Sequence, residues 1–198
     1  LARVGWVGGD EVETVDDGII ARAEPSPTVS SGASVQPVGP GADDQGPERI
    51  YLKGDPQLVV DRIENLRPVT MRDQDPAAAG DRLQVSYRAA GFAQGAIVSI
   101  DGAGVTTLHF PATEDASPRL DQWGRIPLAE SYELDDAPGF ERFFFVTVAQ
   151  DEPPLDVARV LDAARSLAAS DGLEGELSLP EGWRQQSLVL RKAPSTPE

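Results

Sequence analysis

The sequence predicts a β-rich α+β domain: a mainly antiparallel β-sandwich-like fold with one C-terminal amphipathic helix. Short runs of β-branched and aromatic residues, bounded by Gly, Pro and Asp, recur along the chain and are typical of strands. Only one stretch, near the C-terminus, has apolar residues at the spacing of a helical face. With 198 residues and 40% hydrophobic content, the chain can bury the core of one domain of ordinary size.

The chain divides by composition into four parts. Residues 1–23 mix a few large apolar residues with acids and glycines, and we expect them to be partly ordered at best. They are either a short strand pair on the domain or, as we favour, a remnant of upstream sequence. Residues 24–48 are rich in Pro, Gly and Ser and lack aromatic and basic residues, which predicts a linker. Residues 49–192 then form the β-rich domain, and residues 193–198 a disordered tail.

Three patterns define the first strands of the domain. The runs "RIYLKG" and "QLVVDRI" are separated by Asp and Pro and predict strands. In "LQVSYRA", residues 83–89, apolar and polar residues alternate strictly, which predicts a strand with one exposed face. The runs "AIVSI" and "VTTLHF" flank "DGAG". Asp101 to Gly104 therefore close a β-hairpin, because aspartate and glycine tolerate the backbone angles of tight turns.

The C-terminal half supplies the centre of the sheet and the helix. Residues 143–148, "FFFVTV", lack polar alternation and predict a central strand covered on both faces. Residues 157–168 repeat apolar side chains at helical spacing, with Asp156 as N-cap and Gly172 as the stop of a helix of roughly four turns. A last strand is predicted over residues 186–190.

Charge and composition exclude several classes of function. The chain has 33 acidic and 17 basic residues, and its net charge of -16 repels nucleic acid, which we therefore reject as a partner. It contains no cysteine, so disulfides, thiolate chemistry and cysteine-ligated zinc are excluded. No apolar run reaches the roughly 18 to 20 residues of a membrane-spanning helix. Because the chain begins at Leu1 and its only methionine is Met71, we expect upstream sequence to have been removed.

Catalytic motifs are missing from the sequence. The only histidine, His109, lies in the predicted strand "TLHFP", and no nucleophile-elbow, metalloprotease, phosphate-loop or dinucleotide-binding pattern occurs. A single histidine on a strand is more often packed or exposed than catalytic. We therefore predict that the protein is not an enzyme and needs no cofactor.

Two further features could contact a ligand or a metal ion. Asp135, Asp136 and Glu141 form an acidic cluster, but the ligand spacing of an EF-hand is missing, so loop charge in solvent is favoured over a calcium site. Trp123 lies in a predicted loop, where an exposed indole would stack on a sugar or peptide. Burial of Trp123 as a lid on the sandwich is the favoured interpretation. Trp123 and His109 remain the candidate ligand contacts, and no metal site is predicted.

The order of motifs resembles that of an uncharacterised domain family of bacterial envelope proteins. The resemblance covers about residues 49–192 and depends on four segments: "GDRLQVSYRA", "GAIVSIDGAGVTTLHFP", "YELDDAPGFERFFFVTV" and "PLDVARVLDAARSLA". The positions that match the family's motifs are Phe110, Pro111, Pro138, Gly139 and Glu141. The family has no agreed catalytic residues, so the resemblance implies structural roles for these positions.

The resemblance also implies a function. Similar domains form the extracytoplasmic C-terminal parts of anti-sigma factors and related single-pass membrane proteins. The expected function is a non-enzymatic sensing or interaction domain on the periplasmic side, tethered by an upstream anchor and bound to a protein of the cell envelope. Upstream of Leu1 we expect one membrane-spanning helix and a cytoplasmic domain that binds a sigma factor. The alternative is a carbohydrate- or peptide-binding β-sandwich module of a secreted protein, with Trp123 or His109 in contact with the ligand.

Overall fold

The computed structural model describes residues 2–4, 54–170 and 172–192, and the structural statements below concern these residues. The predictions for residues 24–48 and 193–198, for most of residues 1–23 and for a domain start near residue 49 lie outside them. The described elements are β1 Ala2–Val4, β2 Gln57–Glu64, β3 Arg67–Thr70, β4 Asp75–Ala77, β5 Arg82–Arg88, β6 Gln94–Asp101, β7 Thr106–Phe110, β8 Ile126–Pro127, β9 Ser131–Glu133, β10 Phe140–Val148, α1 Val157–Ala168 and β11 Arg184–Lys192.

The strands form two sheets, and the predicted β-rich α+β sandwich-like fold is confirmed. The first sheet has the order β1-β9-β5-β2-β3, with β8 also paired to β5. The second sheet has the order β4-β11-β10-β6-β7. All pairs are antiparallel except β4 and β11, which are parallel. Among the described residues, no helix is long and apolar enough to cross a membrane.

Two apolar cores separate three layers. The inter-sheet core lies between the two sheets and includes Val60, Leu83, Tyr87, Phe143 and Phe145. The helix-side core lies between the second sheet and α1. It is built from side chains of β6, β10 and α1 and from the segments on either side of the helix. The second sheet is therefore covered on both faces, as the unbroken apolar run in β10 predicts.

Strand β10 lies at the centre of the second sheet, between β11 and β6. Its alternate residues point to opposite faces, so Phe143 and Phe145 pack in the inter-sheet core while Phe144 and Val146 pack under the helix. All four side chains are at most 1% exposed. This explains why residues 143–148 show no polar alternation in the sequence.

Helix α1 begins where the sequence predicts and is a little shorter than expected. The Asp156 carboxylate accepts a hydrogen bond from the backbone N–H of Arg159, which confirms the predicted N-cap. The helix has 12 residues, about three turns, and ends at Ala168. Its buried face consists of Val157, Val160, Leu161, Ala164 and Leu167, which lie on the second sheet.

The predicted β-hairpin joins β6 to β7. The Asp101 carboxylate accepts hydrogen bonds from the backbone N–H groups of Ala103 and Val105, both at 2.8 Å, and so closes the turn. The N–H of Gly102 donates to the carbonyl of Phe140 at 2.9 Å. A Cβ atom on Gly102 would lie 1.6 Å from the carbonyl oxygen of Pro138, so this position requires glycine. The hairpin tip thus rests on the corner that leads into β10.

Candidate functional site

A cavity of about 290 Å³ opens at one end of the inter-sheet core. It lies among β5, β7, β8, β9 and the segment 111–130 that connects β7 to β9. Several lining residues are exposed, so the cavity reaches the surface. Its walls are Tyr87, His109, Phe110, Ala112, Asp121, Ile126, Pro127, Leu128, Ala129, Glu130 and Tyr132.

The connecting segment is held over the cavity by hydrogen bonds to neighbouring elements. The side-chain amide of Gln122 donates to the carbonyl of Phe92 at 2.7 Å. Arg125 forms an ion pair with Asp61, a buried carboxylate of β2 that also accepts a hydrogen bond from Thr70. These contacts fix the segment that carries Asp121, Ile126 and the other residues of this wall.

Aromatic side chains make up much of the cavity wall. The rings of Tyr87 and Phe110 are 5.5 Å apart between centroids, and His109 meets Tyr132 edge to face at 4.4 Å. The hydroxyl of Tyr87 accepts a hydrogen bond from the backbone N–H of Asp121 at 3.0 Å. Burial raises the pKa of Tyr87 above its ordinary value, so the phenol is neutral at physiological pH. Tyr87 therefore presents a neutral phenol to the cavity.

His109 lies at the cavity wall and is itself buried, with 4% of its surface exposed. Its Nε2 lies 2.8 Å from the hydroxyl oxygen of Ser99, and its ring also packs on Phe143. The single histidine is thus packed, one of the two arrangements that the sequence favours. No pattern in the sequence indicates that this histidine joins a cavity to a buried group of polar residues.

We call that group the buried polar chain: His109, Ser99, Glu141, Lys192 and Asp135. Ser99 lies 2.8 Å from Nε2 of His109 through its hydroxyl oxygen, and it favours the ionised form of Glu141 on the neighbouring strand. Lys192 Nζ lies 3.4 Å from Oε2 of Glu141 and 2.7 Å from Oδ1 of Asp135. Because Glu141 and Lys192 are only 1% and 2% exposed in their side chains, this ion pair is almost fully removed from water.

The pKa values of the two carboxylates in the buried polar chain are shifted in opposite directions. Burial raises the pKa of Glu141, although hydrogen bonding with Ser99 and the charge of Lys192 oppose the rise. Burial also disfavours the ionised form of Asp135, but hydrogen bonds from Lys192 and from the N–H of Ala137 outweigh it and lower the pKa of Asp135 to about 2. Asp135 therefore supplies a permanent negative charge beside Lys192.

The structure corrects the prediction for the acidic cluster. Loop charge in solvent describes Asp136, which is exposed, but it is wrong for Glu141, which is buried. Asp135 is partly buried and pairs with Lys192. Lys192 lies after the last predicted strand, residues 186–190, and was not a predicted site residue, yet β11 continues to Lys192. The sequence does contain a signal for Lys192: strand side chains alternate between faces, which places Lys192 on the same inner face as Leu188 and Leu190.

Trp123 is also placed differently from the favoured interpretation. It is 76% exposed, so the prediction that it covers the sandwich as a lid is wrong. It lies on the connecting segment between Asp121 and Ile126, two residues that line the cavity, but it does not line the cavity itself. The indole is free to contact a ligand at the surface.

The family-motif positions fall at the cavity and at the corner before β10. Phe110 lines the cavity and Pro111, which follows it, is buried. Pro138 lies against the hairpin tip, and Gly139 has a φ of +85° that favours glycine. The carbonyl of Gly139 accepts a hydrogen bond from the N–H of Lys192 at 3.0 Å, which brings the corner to the buried ion pair.

The polar chain differs in order from a nucleophilic triad. In such a triad the imidazole lies between the hydroxyl and the carboxylate, so that it removes the hydroxyl proton. Here the hydroxyl of Ser99 lies between His109 and Glu141, and Ser99 is 1% exposed. Within the described residues, no group of three or more acidic or histidine side chains has the arrangement of a metal site.

Comparisons with known proteins do not assign the chain to a family. A scan against protein-family models and searches of the curated proteins and of the solved structures found no match. The resemblance to the envelope domain family therefore stays a prediction.

Proposed function

We propose that this domain is a non-enzymatic sensing or interaction domain whose ligand site is the cavity beside His109. The observation that carries the proposal is the cavity itself: about 290 Å³, a mostly apolar and aromatic wall, and a few polar groups. Small-molecule sites are concave and have this mixture of lining groups. The volume lies at the lower end for such sites, which favours a small molecule or one side chain of a protein partner.

The polar chain supports a binding role over a catalytic one. A ligand-binding site needs fixed side chains, and the ion pairs and hydrogen bonds from His109 to Asp135 fix the groups behind the cavity. A serine nucleophile needs an adjacent base and an open path to substrate. The buried hydroxyl of Ser99 is poorly placed for that chemistry.

The proposed setting is the extracytoplasmic side of the cell envelope. The domain would be tethered to the membrane by an upstream segment, as part of a regulator of the anti-sigma type, and would bind a protein of the envelope. Support comes from the sequence resemblance, whose motif position Phe110 lies in the cavity wall. Residues 24–48 would act as the tether, with a root-mean-square span of roughly 25 to 30 Å if flexible.

A cavity-blocking variant tests the ligand site. Ala129→Phe places a large side chain at an exposed position of the wall, and Ala169→Phe, at the C-terminal end of α1, is the matched control. We expect compounds from a small-molecule and short-peptide library to raise the melting temperature of the wild type and of the control, but not of Ala129→Phe. Ala112→Phe serves as a second blocking variant. Ligands that stabilise all four proteins equally would contradict the proposal.

The full-length gene product tests the proposed setting. An apolar segment of roughly 20 residues upstream of Leu1 would support the tethered regulator. A cleavable signal directly upstream would instead support a secreted protein. A tether followed by a cytoplasmic domain unrelated to sigma-factor binding would remove only the anti-sigma part of the proposal.

The second candidate function is a carbohydrate- or peptide-binding module, and the exposure of Trp123 favours it. An indole that is 76% exposed offers a flat apolar face for stacking on a sugar ring or a peptide. We expect a ligand of this kind to lose binding in Trp123→Ala and keep it in Ala129→Phe. The cavity proposal predicts the reverse, so the two variants separate the two candidates.

A further inference from the structure

The outer edge of β11 is only partly covered by its neighbour β4. Strand β4 pairs with β11 over residues 190–192. Next to them, the N–H of Val189 donates to the Asp73 carboxylate at 2.9 Å, and its carbonyl accepts a hydrogen bond from the N–H of Gln74 at 2.7 Å. Within the described residues, no strand lies outside the first half of β11, residues 184–188.

The alternation of the backbone shows which groups of this half face outward. Both backbone groups of Val189 point away from β10, and every second residue of a strand has the same orientation, so those of Ser187 and Gln185 also point outward. In the part of the chain that the structure describes, these groups have no partner on the outer side. Ser187 and Gln186 are exposed. We call residues 185–187 the open edge, and such an edge is a template for another strand.

Side chains on both faces hold the open edge in place. The Gln186 side chain accepts a hydrogen bond from the N–H of Leu58 on β2 at 2.7 Å. On the opposite face, the side-chain amide of Gln185 bonds both the N–H and the carbonyl of Leu177 at 3.0 Å. Strand β10 pairs along the inner side. The open edge is therefore preformed, which lowers the entropy cost of adding a strand to it.

Two other edge strands carry features that hinder pairing. In β3, the N–H of Met71 beyond its end donates to the carbonyl of Val60, so the alternation turns Pro68 outward, where it offers no N–H. In β7, the pairing with β6 shifts register between Ile97 and Val98, and such bulges protect an edge. The open edge has neither a proline nor a register shift.

The charges near the open edge favour a basic partner. At the start of β11, Arg184 pairs with Asp55, the Glu152 carboxylate lies against Gly182, and Glu181 is exposed in the same turn. The chain as a whole has a net charge of -16, which attracts a basic segment from a distance. A second copy of the chain carries the same charge and is repelled.

We propose that the open edge binds an extended, basic segment of a partner protein, which adds a strand to the second sheet beside β11. The backbone of this segment would pair with the N–H and C=O groups of Gln185 and Ser187. The residues of the open edge all lie outside the described wall of the cavity. The inference therefore concerns a second surface and does not depend on the proposed function.

A model peptide tests the proposal. The probe is the capped peptide Lys-Thr-Val-Lys-Val-Thr-Val-Lys, which is basic and rich in strand-forming residues. It is titrated into the isotope-labelled chain, and hydrogen exchange of the Ser187 and Gln185 amides is followed by NMR. We expect both amides to exchange rapidly in the free chain and more slowly as the probe saturates it. Rapid exchange that persists with the probe, or slow exchange in the free chain, would overturn the inference.

Two analogues of the probe separate backbone pairing from charge. An analogue with N-methyl groups on its central amides keeps the side chains but cannot pair as a strand, and it should not bind. An analogue with Glu in place of Lys should bind several-fold more weakly at low salt, with a smaller difference at high salt. Equal binding of the N-methylated analogue would overturn strand addition. Equal binding of the acidic analogue would overturn the assignment of a basic partner.

Variants of Ser187 locate the binding. Ser187→Pro removes an outward N–H that makes no bond to β10, and Ser187→Ala is the matched control. Both variants lose the hydroxyl that accepts a hydrogen bond from Arg142 at 3.0 Å, but only the proline loses the N–H. We expect Ser187→Pro to weaken binding of the probe about tenfold, as for the loss of one backbone hydrogen bond, and Ser187→Ala to bind as the wild type does. Equal affinities of the two variants would overturn the inference.

Two further points complete the test. If Ser187→Pro does not fold, the N-methylated analogue removes the same backbone pairing from the peptide side and decides the question with the wild type. A dimer of the free chain that slows exchange at Ser187 as the concentration rises would identify a second copy as the occupant and overturn the proposed partner. None of these results bears on the cavity, whose test uses Ala129→Phe and other ligands.

Discussion

The two cores on either side of β10 differ in what they contain. The helix-side core is built largely from apolar side chains of α1, β6 and β10, and its buried charged residue, Arg142, packs on Phe144 and donates hydrogen bonds to the carbonyls of Leu173 and Gly175. The inter-sheet core is apolar in its middle but holds the buried polar chain and the cavity at its ends. The desolvation of buried charges offsets most of their mutual attraction, so a buried ion pair contributes little net stability. Burial of apolar side chains stabilises the fold directly. The comparison indicates that the helix-side core serves stability and that the inter-sheet core is also shaped for binding.

The largest expected effect comes from removing Lys192. Lys192→Met leaves Glu141 buried without its counter-charge, which costs about 3 to 5 kcal/mol in the free energy of unfolding at neutral pH. The loss should shrink in acid, where Glu141 takes up a proton, and calorimetric or urea unfolding at several pH values measures it. The double variant Glu141→Gln/Lys192→Met should recover part of the loss. Equal destabilisation at all pH values would show that the ion pair is not the cause.

A truncation in the helix-side core should lower the free energy of unfolding nearly as much as Lys192→Met does, but to the same extent at every pH. Leu161→Ala removes a buried side chain of α1 and leaves a cavity, and we expect a loss of about 2 to 4 kcal/mol in the free energy of unfolding. Urea unfolding over the same pH range provides the comparison with Lys192→Met. A pH-dependent loss for Leu161→Ala would remove the distinction between the two cores.

The N-cap of α1 should contribute less to stability than Lys192 or Leu161 does. Asp156→Ala removes the acceptor for the N–H of Arg159 and should lower the free energy of unfolding by about 1 kcal/mol. Asp156→Ser, which keeps a capping oxygen, is the control and should recover most of the loss. Thermal unfolding of both variants checks this, and equal melting temperatures for Ala and Ser would contradict the capping role.

Replacement of Asp135 should lower stability by a similar amount, and this loss should depend on pH. Its pKa in the folded protein is lowered to about 2 from an ordinary value of 3.8, so its contribution is complete above the ordinary pKa and is lost as the pH falls through about 2. Since Asp135 is partly exposed and solvent screens the pair, we expect Asp135→Asn to cost about 1 kcal/mol at neutral pH. Acid titration of unfolding should show wild type and variant converge near the lower pKa.

The contribution of Glu141 to stability depends on pH in the opposite direction to that of Asp135. Because burial raises its pKa, its contribution is complete below its ordinary pKa and is lost as the pH rises through the raised value. Glu141→Gln, which cannot ionise, should therefore flatten the decline of stability at higher pH. Unfolding measured from weakly acidic to weakly alkaline pH checks this, and an unchanged decline in the variant would contradict it.

The sequence predicts well what depends on local pattern. The alternation in β5, the turn at Asp101, the apolar run of β10 and the cap at Asp156 are signals within a few residues of each other, and each element lies where its signal is. The short strands β4, β8 and β9 were not predicted. They have two or three residues each, too few for a period to be recognised, and they are held by pairing with β11 and β5.

The site depends on contacts between distant parts of the chain. Asp135 and Lys192 are 57 residues apart, and no local pattern links them. Glu141 looks like loop charge in sequence because it follows a Pro-Gly corner, but the pairing of β10 with β6 and β11 buries it. The cavity needs side chains from four strands and a connecting segment at once. Such features follow from the packing of the sheets, which the periods of single strands do not specify.

The most direct test of the binding site uses His109 as a reporter. It is the only histidine, so its ring resonances are identified without ambiguity, and its side chain lines the cavity. Benzylammonium and benzyl alcohol are titrated into the wild type, Ala129→Phe and the control Ala169→Phe. We predict saturable shifts of the His109 ring signals in the wild type and the control and none in Ala129→Phe. Two results would contradict the assignment of the cavity as the ligand site. One is that a probe binds the wild type to saturation and leaves the His109 signals unchanged. The other is that Ala129→Phe shows the same shifts as the wild type.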